Sequence, residues 1–304
     1  MRKILYQKEA KERLDKFLNN ELLDFSRSQI QKLIKAGQIK VNDESTSVHR
    51  FLKTGDKITF EEKSQEASTI EVPDKITQPA IIAETEDYFV INKPAGLIVH
   101  PATGVKEKTL TDWLLEKYPN IRDIGENPAR PGIVHRLDKE VSGLMVIAGT
   151  QRMFDYLKKQ FQSHQLKKEY LGLVHGVIKT DIGQINFPLK RSKLTGKIVA
   201  RPQKSEGKDA ITKFEVIKRF VNYTYLKLTL LTGRTHQIRA HLQAYGYPLV
   251  GDKLYKNKKI KDKLNLDRIF LHSAVLGFND LNEGRQEFNL DLPEDLQNIL
   301  NSTV

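Results

Sequence analysis

The sequence contains no cysteine, which excludes disulfides and thiolate metal sites and points to a reducing compartment. No apolar run approaches the ~18 residues that a membrane span needs. The stretch from Met1 to Leu14 is too charged to hold the apolar core of a signal peptide. The expectation is a soluble, cytoplasmic protein. There is no G-x-G-x-x-G or Walker-type glycine loop, so neither a dinucleotide nor ATP is implied, and no internal repeat is found. Negative charge is scarce: 38 Asp and Glu stand against 50 Lys and Arg, giving a formal net charge of +12. With a pI near 9.5, the chain suits a polyanionic partner, nucleic acid before membrane. Its 304 residues have room for one large domain and a small one, at about 100–200 residues each.

Residues 12 to 60 read as a separate basic module. Leu14, Phe17 and Leu18 form a short helical stripe. A second helix is marked by Ser26 as N-cap with Gln29 in a capping box, and Phe25 with Ile30 sit where a hydrophobic staple closes. Ile30, Leu33 and Ile34 face inward, and Gly37 ends the helix. Ile39 and Val41 alternate as a strand, and Ile58 with Phe60 make another after the Gly55, Asp56 turn. Between Ser26 and Asn42 lie Arg27, Lys32, Lys35 and Lys40 with no acidic residue, a face of one sign that suits phosphates. This arrangement resembles the S4 RNA-binding domain, whose two helices and short strands present a basic face to structured RNA.

Glu61 to Thr85 is polar, without periodicity, and holds Pro73 and Pro79, so it reads as a linker. Phe89 to Ile91 is strand-like, Asn92 to Gly96 is turn chemistry, and Leu97 to Val99 is strand-like again before His100 and Pro101. The central stretch is Arg130 to Thr150. Ile133 and Val134 run into His135, Arg136, Leu137 and Asp138, then a Ser142, Gly143 turn leads to an apolar segment from Leu144 to Ala148. A carboxylate beside a guanidinium is thus pinned between strand-like segments yet open to solvent, a placement typical of functional groups. An aspartate capping a helix or closing an Asx turn is the plainer reading of Asp138.

Beyond it, Thr150 caps a helix with Met153, Phe154, Leu157 and Phe161 at helical spacing, most simply core. Lys167 to Val177 reads as a strand with Tyr170, Gly172 and Val174 on one face. Lys190 to Lys208, with Lys190 and Arg191 and one acid, Glu206, is too polar for core and reads as a hairpin or loop reaching toward phosphates. Leu226, Leu228 and Leu230 alternate into Thr232-Gly233-Arg234-Thr235-His236-Gln237-Ile238-Arg239. There Thr232 or Thr235 caps a helix whose buried face carries Ile238, Leu242 and Tyr245. His236 and His241 carry little weight as metal ligands, since no third ligand or H-E-x-x-H pattern accompanies them.

N-K-P-A-G-L-I-V-H-P from Asn92, H-R-L-D at His135 to Asp138, K-K-E-Y ending at Tyr170 and G-R-T-H-Q-I-R from Gly233 stand in the order of the RluA/RluD type of pseudouridine synthases. P-L-V-G-D-K-L-Y up to Tyr255 and Leu271-His272-Ser273 extend the resemblance toward the C-terminus. Departures are small: Glu140-Val141, Gly149 and Lys256 replace residues common in the family. The resemblance implies an α+β protein. An S4 domain spans residues 1–62, a linker 63–80, and a catalytic domain 81–304 with a mixed, largely antiparallel central sheet flanked by helices.

It further implies Asp138 as the catalytic carboxylate, Arg239 as its partner and Tyr170 as an active-site ring that stacks on uracil. Arg136, His135, Arg234 and His236 join the S4 cations and Lys190 and Arg191 as RNA contacts. The reaction breaks the bond from N1 of uracil to the ribose and rejoins the ring through C5. The products are isomers, so no cofactor is expected, nor any metal. The carboxylate attacks the anomeric carbon, stabilises oxocarbenium character or takes a sugar proton, and the sequence leaves these routes open. Burial raises a carboxyl pKa while a cation within about 4–6 Å lowers it by roughly 1–3 units, the task expected of Arg239. A stacked uridine must first be flipped out, at a few kcal/mol, and Arg136 is suited to fill the gap or hold the flanking phosphate. The expected partner is large-subunit (23S-type) ribosomal RNA or a pre-ribosomal particle, with the protein a monomer. Two other readings are a non-catalytic S4-type assembly factor and a glycoside hydrolase, which needs a second carboxylate about 5–9.5 Å from the first.

Overall fold

The computed structural model describes residues 2–8, 10–22, 27–60, 78–101, 107–201, 206–256, 260, 264, 266–282 and 284–303, with the side chains of 2, 27–29 and 32 excepted. The capping box of Ser26, the staple of Phe25, and the side chains of Arg27 and Lys32 lie outside the described residues. Two compact units divide between residues 75 and 76.

The first unit carries β1 (Arg2–Leu5), α1 (Leu14–Glu21), α2 (Arg27–Lys35), β2 (Ile39–Val41), β3 (Glu44–Ser45) and β4 (Lys57–Phe60). Its strands pair antiparallel in the order β1-β4-β2-β3. The α1 stripe of Leu14, Phe17 and Leu18 packs with Ile30, Ile34, Ile39, Val41 and Ile58 in one core. Gly37 ends α2 at φ 72°, the left-handed geometry that glycine adopts without a Cβ clash. The short strands β1 and β3 carry no alternation in the sequence and were not expected from it.

The second unit opens with β5 (Ala80–Glu84) and β6 (Tyr88–Lys93), then α3 (Leu110–Lys117), β7 (Ser142–Ala148), α4 (Gln151–Gln162) and β8 (Lys167–His175). Next come β9 (Ile182–Ile185), β10 (Leu189–Arg191), β11 (Ile198–Ala200), β12 (Thr212–Arg219), β13 (Tyr223–Leu230) and α5 (Gln237–Tyr245). The unit ends with β14 (Leu271–Asn279), β15 (Arg285–Asn289) and α6 (Glu294–Ser302). Nine strands form one sheet, β5-β6-β7-β14-β8-β13-β12-β9, with β15 on β14. Among the described residues β7 with β14 is its parallel pair and the other pairings are antiparallel. This is the mixed, largely antiparallel sheet of an α+β protein.

Four local readings change. Residues 80–84, read with the polar stretch up to Thr85 although Ala80 to Ala83 are apolar, form β5, which among the described residues is an edge strand paired with β6. Leu97 to Val99 is a buried loop, joined by a single bridge from Ile98 to Thr109. Ser142 and Gly143 are the first residues of β7, not a turn. Gly143 is there for close approach: at φ 118° its missing Cβ leaves room for the Ser273 carbonyl oxygen, which an added Cβ would meet at 2.3 Å. Finally, neither Thr232 nor Thr235 caps α5; the N-cap is His236, at φ 53° and ψ 22°. Thr150 does cap α4, accepting from the Met153 amide at 3.3 Å. Among the described residues no helix is long and apolar enough to cross a membrane.

Candidate active site

The loop entering β7 is fastened before its functional groups are placed. Lys93, fully buried, donates to the carbonyls of Pro94 (2.7 Å), Leu97 (2.9 Å) and Lys139 (3.2 Å). Burial lowers its pKa to about 7, Arg268 adding to the fall and Asp138 opposing it. The Gly96 amide also donates to Lys139 O. The first motif therefore ties its own turn to the backbone beside Asp138. On the other side, His135 Nε2 accepts the Val146 amide at 3.0 Å and the ring stacks on Phe161 at 4.8 Å. Burial drives this imidazole down to about 3, so it stays neutral, bound to β7.

Asp138 projects from this loop with its side chain 18% exposed, and Arg239 Nη1 donates to its Oδ2 at 2.9 Å. The rest of the guanidinium faces away. Nε and Nη2 donate to Asp252 Oδ2 (2.8 Å) and Oδ1 (3.0 Å), a bidentate pair whose carboxylate is wholly buried. Asp252 Oδ1 also accepts the amides of Leu254 and Tyr255. Burial alone would lower the Arg239 pKa, but Asp252 and then Asp138 raise it, so the cation is permanent. The Tyr255 ring lies under the guanidinium at 5.1 Å.

Two further polar side chains of α5, Gln237 and His241, serve its seat. Gln237 donates to Ile211 O and Thr212 Oγ1 and accepts from Thr232 Oγ1 and the Arg234 amide. His241 bridges Thr212 Oγ1 and Phe187 O, both at 2.9 Å. Nε2 thus donates to the carbonyl and Nδ1 accepts from the hydroxyl, which leaves His241 nothing for a metal. Among the described residues no cluster of three or more His, Asp or Glu fits a metal ion.

Asp138, Arg239, Tyr170, His135, Arg136, Arg234 and His236 all line one cleft of about 580 Å³. Tyr170, on β8 opposite Ser273 of β14, is buried, and burial pushes its hydroxyl up to about 12. It is a phenol at neutral pH. Arg136 is exposed, its Nη1 donating to His100 Nε2 at 2.9 Å. Burial, then Arg136 and Arg130, lowers His100 to about 4, so this ring accepts. Arg234 is exposed and donates to Asp209 O.

Lys190 pairs with Glu206 at 2.8 Å, and Arg191 donates to Gly196 O, closing the β10–β11 hairpin. Lys35 is exposed on α2 and Lys40 half-buried on β2, both in the first unit. Three residues at or behind the cleft had gone unread. Asp252 and Tyr255 lay within P-L-V-G-D-K-L-Y, whose acid was the available signal. Lys168, 6% exposed, also lines the cleft, its Nζ 5.7 Å from the centre of the Phe161 ring. Burial lowers its pKa to about 8. Phe161, expected in the core, packs half-buried against it and also lines the cleft.

A second carboxylate does stand near Asp138, which the sequence had not revealed. Asp252 is behind Arg239, however, with both oxygens occupied and none of it lining the cleft. It is no glycosidase acid.

The family model for RNA pseudouridylate synthase matches residues 87–244, and that for the S4 domain matches 12–58. The chain belongs to the RluA/RluD-type RNA pseudouridine synthases that carry an S4 domain, and it is an isomerase with RNA as substrate. It is 36% identical to an RNA pseudouridine synthase of Bacillus subtilis (strain 168), over 97% of this chain and 95% of that one. A ribosomal large subunit pseudouridine synthase D of Buchnera aphidicola subsp. Schizaphis graminum is 34% identical, over 95% of this chain and 93% of its own. Human RNA pseudouridylate synthase domain containing 1 shares the fold, with a TM-score of 0.60 and 23% identity over 73% of this chain and 86% of that chain.

Proposed function

We propose that this enzyme isomerises specific uridines of large-subunit ribosomal RNA, with Asp138 as the carboxylate that acts at the sugar. The observation that carries the reading is the Arg239 to Asp138 ion pair, 2.9 Å long, in a cleft of about 580 Å³. That volume lies within the usual range for a small-molecule site, ample for one flipped nucleoside. Arg239 enters the site already oriented by Asp252, so the carboxylate meets a fixed cation and no reorganisation is needed as charge develops. Tyr170, protonated and on the sheet, offers a flat face to uracil, worth about 1–3 kcal/mol of stacking.

Arg136 exchanges its single bond to His100 for the flanking phosphate or the space the base leaves. Lys168 and Arg234 supply positive charge to the same wall, and His135 holds the loop on which they converge. Lys35 and Lys40, with Arg27 and Lys32, are the S4 contribution to RNA affinity, and Lys190 and Arg191 that of the hairpin. Ribosomal RNA is favoured by the names of the relatives at 34–35% identity. The protein acts in the cytoplasm, as a monomer.

Carbodiimide mapping of pseudouridine across ribosomal RNA, from cells with and without this gene, tests the substrate. Loss of one or more large-subunit sites is expected. An unchanged large-subunit pattern overturns the assignment.

A further inference from the structure

Replacing the N1–C1′ bond by a C5–C1′ bond leaves C5 carrying a hydrogen that the product does not have. A base must remove it. Tyr170 is a poor choice, since its hydroxyl holds its proton up to about pH 12. His135 Nε2 is occupied by the Val146 amide. Asp138 is committed to the sugar, with Oδ2 held by Arg239.

His236 differs, and its protonation follows from its partners. The Tyr255 hydroxyl lies 2.9 Å from Ile198 O, which only accepts, so the phenol proton goes there. The Tyr255 oxygen therefore receives a proton from His236 Nδ1, 3.1 Å away. A neutral imidazole protonated at Nδ1 is bare at Nε2. That bare nitrogen stands 3.6 Å from Asp138 Oδ1, so two acceptors face each other with no proton between them.

Burial holds the imidazole below its ordinary pKa; Asp138 and Asp252 oppose this, while Arg239 and Arg136 add to it. That direction favours the neutral ring. Its backbone sits at φ 53°, a left-handed geometry that non-glycine residues seldom adopt and that collects at functional positions.

From this geometry we propose that His236 is the base that takes the C5 proton once the uracil has been rejoined to C1′. The inference rests on the placement of the nucleoside at Asp138 proposed above. The bond that breaks is C5–H, acidified by the neighbouring C4 carbonyl; its electron pair restores the C5=C6 double bond while the C6=N1 pair, formed when C5 bonded to C1′, returns to N1. The proton passes to Nε2, forming an imidazolium beside Asp138 Oδ1, and then to water. N1, which left the sugar with its electron pair, takes a proton from water. Atoms and charge balance, and no co-reactant is required.

Asn at position 236 can keep a donor toward Tyr255 yet offers no base, whereas Gln places an amide near the Nε2 position. Both variants and the wild type are compared in single turnover on large-subunit ribosomal RNA transcripts made with ordinary or 5-deuterated uridine. Wild-type product from the same transcripts keeps a failure of the substrate reading apart from a failure of this one. For H236N and H236Q with unchanged melting temperature and RNA affinity, the rate is expected to fall about 100-fold or more, the usual share of a general base. The isotope effect is expected to rise at least about twofold over the wild type, because C5–H cleavage has become slow. Wild-type rates in both variants overturn the proposal. So does a slow variant whose isotope effect equals that of the wild type, since a merely structural histidine would behave in that way.

Discussion

Arg239 reaches Asp138 with one nitrogen because Asp252 has taken the other two. The bidentate grip, at 2.8 and 3.0 Å, fixes the plane of the guanidinium and so the direction of the 2.9 Å bond to Asp138. A planar fork is needed for this, and lysine has none.

Removing the grip should separate stability from chemistry. Asp252→Ala leaves a buried guanidinium half paired and is expected to cost about 3–5 kcal/mol, read as a lower urea midpoint. Asp252→Asn keeps the shape but loses the charge and one matched acceptor. Its rate should fall about 100-fold through misplacement of Arg239, with RNA affinity retained in filter binding. Equal activity in Asp252→Asn and wild type would remove Asp252 from the account.

Lys168 gives a dependence on pH. Its pKa is lowered to about 8 by burial, so the side chain is charged below that value and neutral above it. A phosphate contact from Lys168 is therefore present at pH 7 and fades as pH rises through about 8. RNA affinity at fixed ionic strength should fall several-fold between about pH 7 and 9 in the wild type, and much less in K168M. Identical pH profiles would mean that Lys168 holds no phosphate.

Gly143 sets the approach of β7 to β14, where Tyr170's partner Ser273 also lies. An alanine Cβ there would meet Ser273 O at 2.3 Å with φ at 118°. Overpacking and backbone strain together should cost on the order of 3 kcal/mol. Thermal unfolding of G143A checks this, and an unchanged midpoint would contradict it.

How much of this was legible differed by residue. Alternation and helical spacing located β2, β8, β13 and α4, and short apolar segments located β4 and β6, because these elements bury most of their apolar residues. Asp138, Tyr170 and Arg239 were legible through motifs, and they do line one cleft. Gly143 misled because glycine usually breaks a strand, whereas here it admits a neighbouring backbone. Leu97 to Val99 misled in the opposite direction, its apolar residues being buried in a loop that Lys93 pins. The N-cap of α5 was misread because Thr232 spends its hydroxyl on Gln237. Asp252 stayed hidden as the grip on Arg239, since only the tertiary fold brings its carboxylate to that side chain.

The central claim is that the Asp138 carboxylate, held by Arg239, does the chemistry. Asp138→Asn keeps the size and one acceptor for Arg239 while removing the charge. With large-subunit ribosomal RNA as substrate, the account predicts wild-type RNA affinity and no pseudouridine from this variant. Pseudouridine formed by Asp138→Asn at a rate near that of the wild type would contradict it.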